Sequence, residues 1–344
     1  MKSFSMWEFT GLEDLNEAIN LIRDSRPIIT TEDWEDEPLI AVINQVNGFD
    51  INNPESLEVD GNQINYVIVD CITERSRNAQ FWFSSQGQLR PREKRINVYQ
   101  TKVLLFEYNN LVRGIVFTGK GRAGTIIRDC LPAEQWGNFA AVEATLTEDL
   151  LYWIFRKFID LRESPLSPVH NLYVTALKSY TGKTRDNINA MRGNGRRIST
   201  ILGTLAFLFN NENLKAVRPQ LQYNGEVFLL EISLTGTCRI WEEEYQGIWL
   251  NLDEERLQNN IAIYTYIKLL PTLIDCYQDN IRRGSWSPQL KVEFLQRLGN
   301  EIKDQVEAEL ARLQEEAHLD EQTDGDGVDA LDLFDITEED DDDV

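Results

Sequence analysis

Along residues 12–22 the apolar positions Leu12, Leu15, Ala18, Ile19 and Ile22 recur at the spacing of one helical face, which predicts a short amphipathic helix. Arg26-Pro27 closes it, and an acidic loop around Trp34 follows. The pattern then changes to runs rich in Val, Ile, Phe and Tyr at residues 39–46, 64–72, 79–83, 96–108 and 111–118, the signature of strands. Asn109-Asn110 between the last two runs predicts a tight hairpin turn, because Asn tolerates positive φ. Thr147 offers a hydroxyl cap and Glu148-Asp149 two carboxylates at the start of the next helix. Its apolar residues Leu150, Leu151, Trp153, Ile154, Phe155 and Phe158 cover most of the circumference, so this helix is expected to be buried.

Pro165 and Pro168 interrupt the pattern and mark the expected domain boundary. Beyond it, residues 172–180 fit either strand or helix, residues 197–210 read as an apolar core helix, and residues 226–234 and 237–241 read as a hairpin joined at Thr235-Gly236. Asp253-Glu254-Glu255 starts a long helical segment that Pro271 should kink or divide. A last helix is expected over residues 290–318, where Leu295, Leu298, Ile302, Val306, Leu310 and Leu313 form a narrow stripe. Such a stripe needs a partner: the body of this protein, a second copy, or another protein packed as a coiled coil.

The chain is therefore expected to be α+β, with a β-rich domain over residues 1–165 built on a mainly antiparallel sheet with flanking helices. A mixed, mainly helical domain over 166–318 and a disordered acidic tail over 319–344 complete it. Eight Trp, eleven Tyr and fifteen Phe among 344 residues support a folded body, since aromatics on that scale do not stay solvated. No stretch approaches the roughly 20 apolar residues of a membrane helix, and the start of the chain lacks the apolar run of a signal peptide, so a cytoplasmic protein without membrane contact is expected. Cys71, Cys130, Cys238 and Cys276 stand far apart in apolar surroundings and are expected as buried free thiols. With only two His besides, neither a metal site nor a cofactor is expected.

Charge sharpens the picture. The segment 319–344 holds 13 of the 57 acidic residues and none of the 34 basic ones, so the body is only moderately acidic. That balance argues against a protein that coats DNA indiscriminately, while leaving room for a local basic face. Residues 178–197 carry Lys178, Lys183, Arg185, Arg192, Arg196 and Arg197 against Asp186 alone, interleaved with Tyr180, Asn187, Asn189, Asn194 and glycines. Cations neutralise phosphates, Asn bonds phosphate or base edge, and glycines let backbone amides approach, so these six residues are the leading nucleic-acid contact. The plainer reading is a solvated loop paired with the acidic surface. A second basic run, Arg90, Arg92, Lys94, Arg95 and Lys102, would extend the footprint if folding joined the two.

Gly119, Lys120, Gly121, Arg122 and Gly124 fit G-x-G-x-x-G between a strand and a helix, where exposed amides would cradle phosphate; a glycine-rich turn with a basic rim is the plainer alternative. Gly182-Lys183-Thr184 ends like a P-loop but lacks its first Gly, Leu177 standing there. Glu226 and Glu231 come nearest to a carboxylate pair for a metal, but their odd separation on one strand puts them on opposite faces, so Glu231 is expected to be paired or at an edge. In the tail, Leu331, Leu333, Phe334 and Ile336 stand among Asp residues ahead of six successive carboxylates at 338–343, the composition of a docking motif or an autoinhibitory segment; a solubilising tail without a specific target is the plainer alternative.

A singly built α+β body with basic loops and an acidic tail is similar to accessory proteins of prokaryotic antiviral defence systems, without a family motif to carry the likeness. The expected function is nucleic-acid association within a multi-component system, with a protein partner held by the tail or by the 290–318 helix, and with homo-oligomers as a further option. The alternatives are an enzyme acting on a nucleotide or phosphate ester, including a nuclease, and a pure protein adaptor.

Overall fold

The computed structural model describes residues 2–31, 38–142, 146–195 and 201–325, with side chains described through residue 316. The architecture is α+β, as the pattern predicts: one antiparallel sheet with helices on its faces. In chain order its strands are β1 (Lys2–Phe9), β2 (Ile28–Thr31), β3 (Leu39–Gln45), β4 (Glu55–Val59), β5 (Asn62–Ser76), β6 (Ile96–Tyr108), β7 (Leu111–Val116), β8 (Phe139–Ala141), β9 (Leu172–Lys183), β10 (Ala190–Asn194), β11 (Asn213–Tyr223), β12 (Glu226–Ser233) and β13 (Thr237–Ile240). The helices are α1 (Leu15–Asp24), α2 (Arg92–Arg95), α3 (Lys120–Cys130), α4 (Ala133–Trp136), α5 (Glu148–Asp160), α6 (Leu202–Phe209), α7 (Glu254–Tyr264), α8 (Leu270–Arg282) and α9 (Pro288–Gly325).

The strands lie in the order β10-β9-β11-β12-β13-β1-β7-β6-β5-β3-β2, with β4 added to β5 and β8 to β1. β1 is the seam. It pairs with β7 on one edge, and with β13 through Lys2–Ser5 and β8 through Trp7–Phe9 on the other. One sheet thus runs across the boundary expected after residue 165.

Local chemistry sets the hairpins. Asn109-Asn110 joins β6 to β7 with φ of 55° and 59°, as the sequence predicts for a two-residue turn. Asp60-Gly61 and Asn224-Gly225 do the same for β4–β5 and β11–β12, with positive φ at both residues, which matches the right-handed twist of the flanking strands. The caps also behave as the sequence reads: Leu150 N–H donates to Thr147 Oγ1 (3.2 Å) and Arg256 N–H to Asp253 Oδ1 (2.9 Å).

The two halves of the sheet are covered differently. In the N-terminal half, Tyr66, Ile68, Leu104, Phe106 and Ile115 face one core, while Val67, Val69, Cys71, Val103 and Leu105 face another beneath α1 and α3. In the C-terminal half, among the described residues, helices cover only the first face. Leu177, Tyr180, Val217, Leu221, Phe228 and Ile232 join that same first core against α5, α7 and α8. As expected, α5 is buried nearly all round, and the four cysteines are buried and free.

Several elements differ from the sequence reading. Residues 79–83 form no strand: Ala79–Phe81 is a single 3₁₀ turn in an excursion between β5 and β6, where Trp82 Nε1 donates to the Arg77 carbonyl (2.7 Å). The residues before Ile201 in the helix expected from 197 lie outside the described residues, and α6 begins at Leu202. Residues 172–180 resolve as strand β9, and β1, β2, β4, β8, β10 and β11 are strands that the pattern did not announce. At Pro271 the long helical segment is divided as expected, into α7 and α8, with Pro271 in the first turn of α8. The turn before it widens into a π segment, Thr265–Leu269, which accommodates the missing N–H, and α8 continues. α9 continues past the expected tail boundary to Gly325, while the rest of the tail, with Leu331, Leu333, Phe334 and Ile336, lies outside the described residues. No helix among the described residues is long and apolar enough to cross a membrane.

Candidate nucleic-acid interface

The basic segment picked from the sequence folds as the β9–β10 hairpin at one edge of the sheet, and its cations part company there. Lys178 is half-buried within β9, where its carbonyl accepts from Gly195 N–H (3.0 Å). Lys183 is exposed at the end of β9. Arg185 closes the end of α6 instead: its guanidinium donates to the Asn210 and Asn211 carbonyls, and its backbone N–H donates to Glu212 Oε2 (2.6 Å). Arg196 and Arg197 lie outside the described residues.

Arg192 takes a different place. Met191 packs on the core and Gly193 leaves room for the Tyr180 ring, so the alternation of β10 turns Arg192 and Asn194 to the uncovered face, where both are exposed. Register then carries the row across the sheet. Asn194 and Arg218 of β11 both lie opposite Ser179, and Arg218 Nη2 donates to Asn194 Oδ1 over it. Arg218 Cζ also sits 4.6 Å from the centre of the Trp241 ring, a cation–π contact at the end of β13. Burial draws Arg218 below the usual arginine range, Glu231 opposes that shift, and the neighbouring Arg192 charge adds to it.

Arg239 of β13 completes the row. It lies opposite Glu231 and Ser3, with Nη1 donating to Glu231 Oε1 (2.6 Å) and Nε to Ser3 Oγ (3.2 Å). Glu231 is therefore a paired carboxylate, as its place on the strand predicts, and Glu226 is turned away and accepts from the Tyr245 hydroxyl (2.7 Å). Among the described residues no helix lies on this face. Three arginines from three strands and one Trp thus share a sheet surface on which Glu231 pairs Arg239 and the charges of Glu231 and Glu244 act on Arg218. Arg218, Arg239 and Trp241 are scattered in sequence, and the sequence reading missed them. The signal that would have found them is Asn224-Gly225, a strong hairpin marker that fixes β11, β12 and hence the register of Arg218.

The other sequence candidates lie elsewhere. Gly119 precedes α3, Gly124 packs on Trp7 (a Cβ there would stand 3.3 Å from the ring), and Arg122 lies over Tyr99 at 5.6 Å. α3 follows an antiparallel strand, not the parallel strand of a βαβ unit, and Lys120 and Gly121 occupy its first turn. Gly182 belongs to buried strand β9, where a Cβ would strike the Phe207 ring at 2.2 Å. Packing explains that glycine without a phosphate. The second basic run does not join the first, because seven strand steps separate β6 from β10, on the order of 30 Å at about 4.8 Å per step. There Arg92 pairs with Glu74 (2.8 Å), Arg95 is buried, and Lys102 pairs with Glu255 of α7. No group of three or more His, Cys, Asp and Glu side chains suited to a metal ion gathers among the described residues. No family model matches this sequence, and no curated protein matches it.

Proposed function

We propose that this protein binds single-stranded nucleic acid on the open face of β9–β13, as an accessory component that works with a protein partner. The observation that carries this reading is the row Arg192, Arg218 and Arg239 beside Trp241 on a sheet face that carries no helix among the described residues. An open antiparallel sheet with arginine planes and an aromatic ring offers splayed bases a stacking surface while the guanidinium groups neutralise the backbone. Exposed Lys183 at the hairpin edge extends the track. A duplex keeps its bases stacked inside, so the single strand gains more from such a surface.

Fluorescence anisotropy with labelled single-stranded and duplex DNA and RNA, titrated with salt, tests it. Arg192, Arg218 and Lys183, which no carboxylate holds among the described residues, neutralise three phosphates and give a log–log salt slope of about −2 on a single strand. The double variant R192A/R218A should lose most of the affinity, and removal of residues 326–344, ten of them acidic, should raise it. Equal binding by R192A/R218A and the natural chain, or no binding by either at low salt, overturns the reading.

α9 supports the partner. Its first half packs through Phe294, Leu295, Leu298 and Ile302, but Val306, Leu310 and Leu313 continue the same stripe in the open, at 39%, 54% and 48% exposure. Light scattering across concentration separates self-association through this stripe from a need for a different protein.

A further inference from the structure

A second cleft lies on the N-terminal half of the sheet, far from the arginine row. It has about 420 Å³ and is lined by Arg75, Arg77, Asn78, Phe81, Asn97 and Tyr99. That volume falls within the range of small-molecule sites. Its floor is fixed by cross-strand pairing: Arg75 lies opposite Asn97 and Thr73 opposite Tyr99. Asp129 of α3 holds Arg75 by two hydrogen bonds (2.8 and 2.6 Å) and also accepts from Thr73 Oγ1 (2.8 Å). Arg75 is therefore a neutralised, oriented wall and not a spare cation.

The rest of the rim has donors without acceptors. Arg77 is fixed by one bond, Nε to the Ile96 carbonyl (2.8 Å), and among the described residues its two terminal nitrogens meet no acceptor. Arg122 is not part of the lining but stands next to it, its guanidinium 5.6 Å from the centre of the Tyr99 ring, and among the described residues the side-chain amides of Asn78 and Asn97 make no hydrogen bond. Phe81, at 43% exposure, turns an apolar ring to solvent at the mouth. One uncompensated guanidinium group, two side-chain amides and two aromatic rings therefore line one concavity, with Arg122 beside it over the Tyr99 ring. Guanidinium groups fit a phosphate, amides fit the polar edge of a base, and aromatic rings fit its face.

We propose that this cleft binds a phosphorylated nucleotide unit, with Arg77 taking the phosphate charge, Arg122 reinforcing it from beside Tyr99, and Tyr99 and Phe81 taking the base. The unit is a free nucleotide or the phosphorylated end of a strand. This goes beyond the open-face reading and does not rest on it, since none of its residues belongs to the arginine row.

Isothermal titration of the full chain with adenosine monophosphate, with inorganic phosphate, and with short oligonucleotides bearing or lacking a 5′-phosphate tests it. The expected result is saturable binding of adenosine monophosphate at least tenfold tighter than phosphate, because only the nucleotide stacks. R77A should weaken it about tenfold and R122A by a smaller factor, and Y99A should bring nucleotide affinity down to that of phosphate. R192A/R218A should leave it unchanged, which separates this site from the open face. Preference for the phosphorylated oligonucleotide identifies a strand end as the ligand; equal oligonucleotide affinities with nucleotide binding intact identify a free nucleotide. No saturable heat with adenosine monophosphate at millimolar concentration, or unchanged affinity in both arginine variants, overturns the proposal.

Discussion

The two halves of the sheet are built from the same antiparallel pairing yet are written differently in sequence. In β5 and β6 both faces are covered, so Tyr66–Val67–Ile68–Val69 and Val103–Leu104–Leu105–Phe106 are unbroken apolar runs, as strands between two layers must be. In β11 the face away from the first core carries no helix among the described residues, so apolar Val217 and Leu221 alternate with Gln220 and Gln222, while β12 keeps an apolar run, Val227–Leu230, ahead of the paired Glu231. The difference teaches where to look for function. A face that evades burial needs no apolar side chains and is free to carry arginines and an aromatic for a ligand, whereas the doubly covered half offers a site only where its layers end, as at the Arg77 and Tyr99 cleft.

The largest expected effect tests the covered half. Leu105 is fully buried beneath α1 and α3, and Leu105→Ala should cost about 2–5 kcal/mol in urea unfolding. A loss below 1 kcal/mol would mean that the second layer is not packed as described. Gly182→Ala should cost about 1–3 kcal/mol, because its methyl group enters the space of the Phe207 ring and lies 2.9 Å from the Asn213 carbonyl. Thermal unfolding with intact circular dichroism at the same midpoint as the natural chain would refute that packing.

Arg218→Ala on the open face should behave oppositely. Its stability loss should stay near 1 kcal/mol, the scale of a cation–π contact on Trp241, while the salt slope of single-strand binding falls by about 0.7. A large unfolding effect without a binding effect would make the row structural. The smallest effect concerns acid. Burial pushes the Glu226 carboxyl above its ordinary 4.5, with the Tyr245 hydrogen bond opposing the shift. The folded state then holds that proton more tightly than the unfolded chain. Its stabilising contribution is complete below 4.5 and is lost as pH rises through the higher folded value. Glu226→Gln should flatten that decline by less than about 1 kcal/mol, since the group is only half-buried. Melting curves from pH 4 to 7 that fall equally in both chains would contradict it.

Local chemistry made much of the fold legible. Continuous apolar runs gave β3, β5, β6 and β7, Thr147 and Asp253 gave the starts of α5 and α7, and Asn109-Asn110 gave a turn, because each rests on neighbours within a few residues. β11 escaped because alternation with Gln and a Pro219 inside the strand weakens the strand signal, and residues 79–83 misled because an exposed aromatic excursion carries the same letters as a strand. Of the expected contact residues, Arg192 reached the open face and Arg185 turned to cap α6, a choice set by hairpin register and the position of Asn210.

By itself the sequence determined the α+β class, the buried α5, the free buried thiols and the acidic terminus, since these follow from periodicity and composition. Only the tertiary structure decided that β13 joins β1, so that residues before and after 165 share one sheet, and that Arg192, Arg218 and Arg239 meet on it. The physical reason is that strand pairing brings together residues remote in the chain. Nothing local in the sequence records which edge each strand will find.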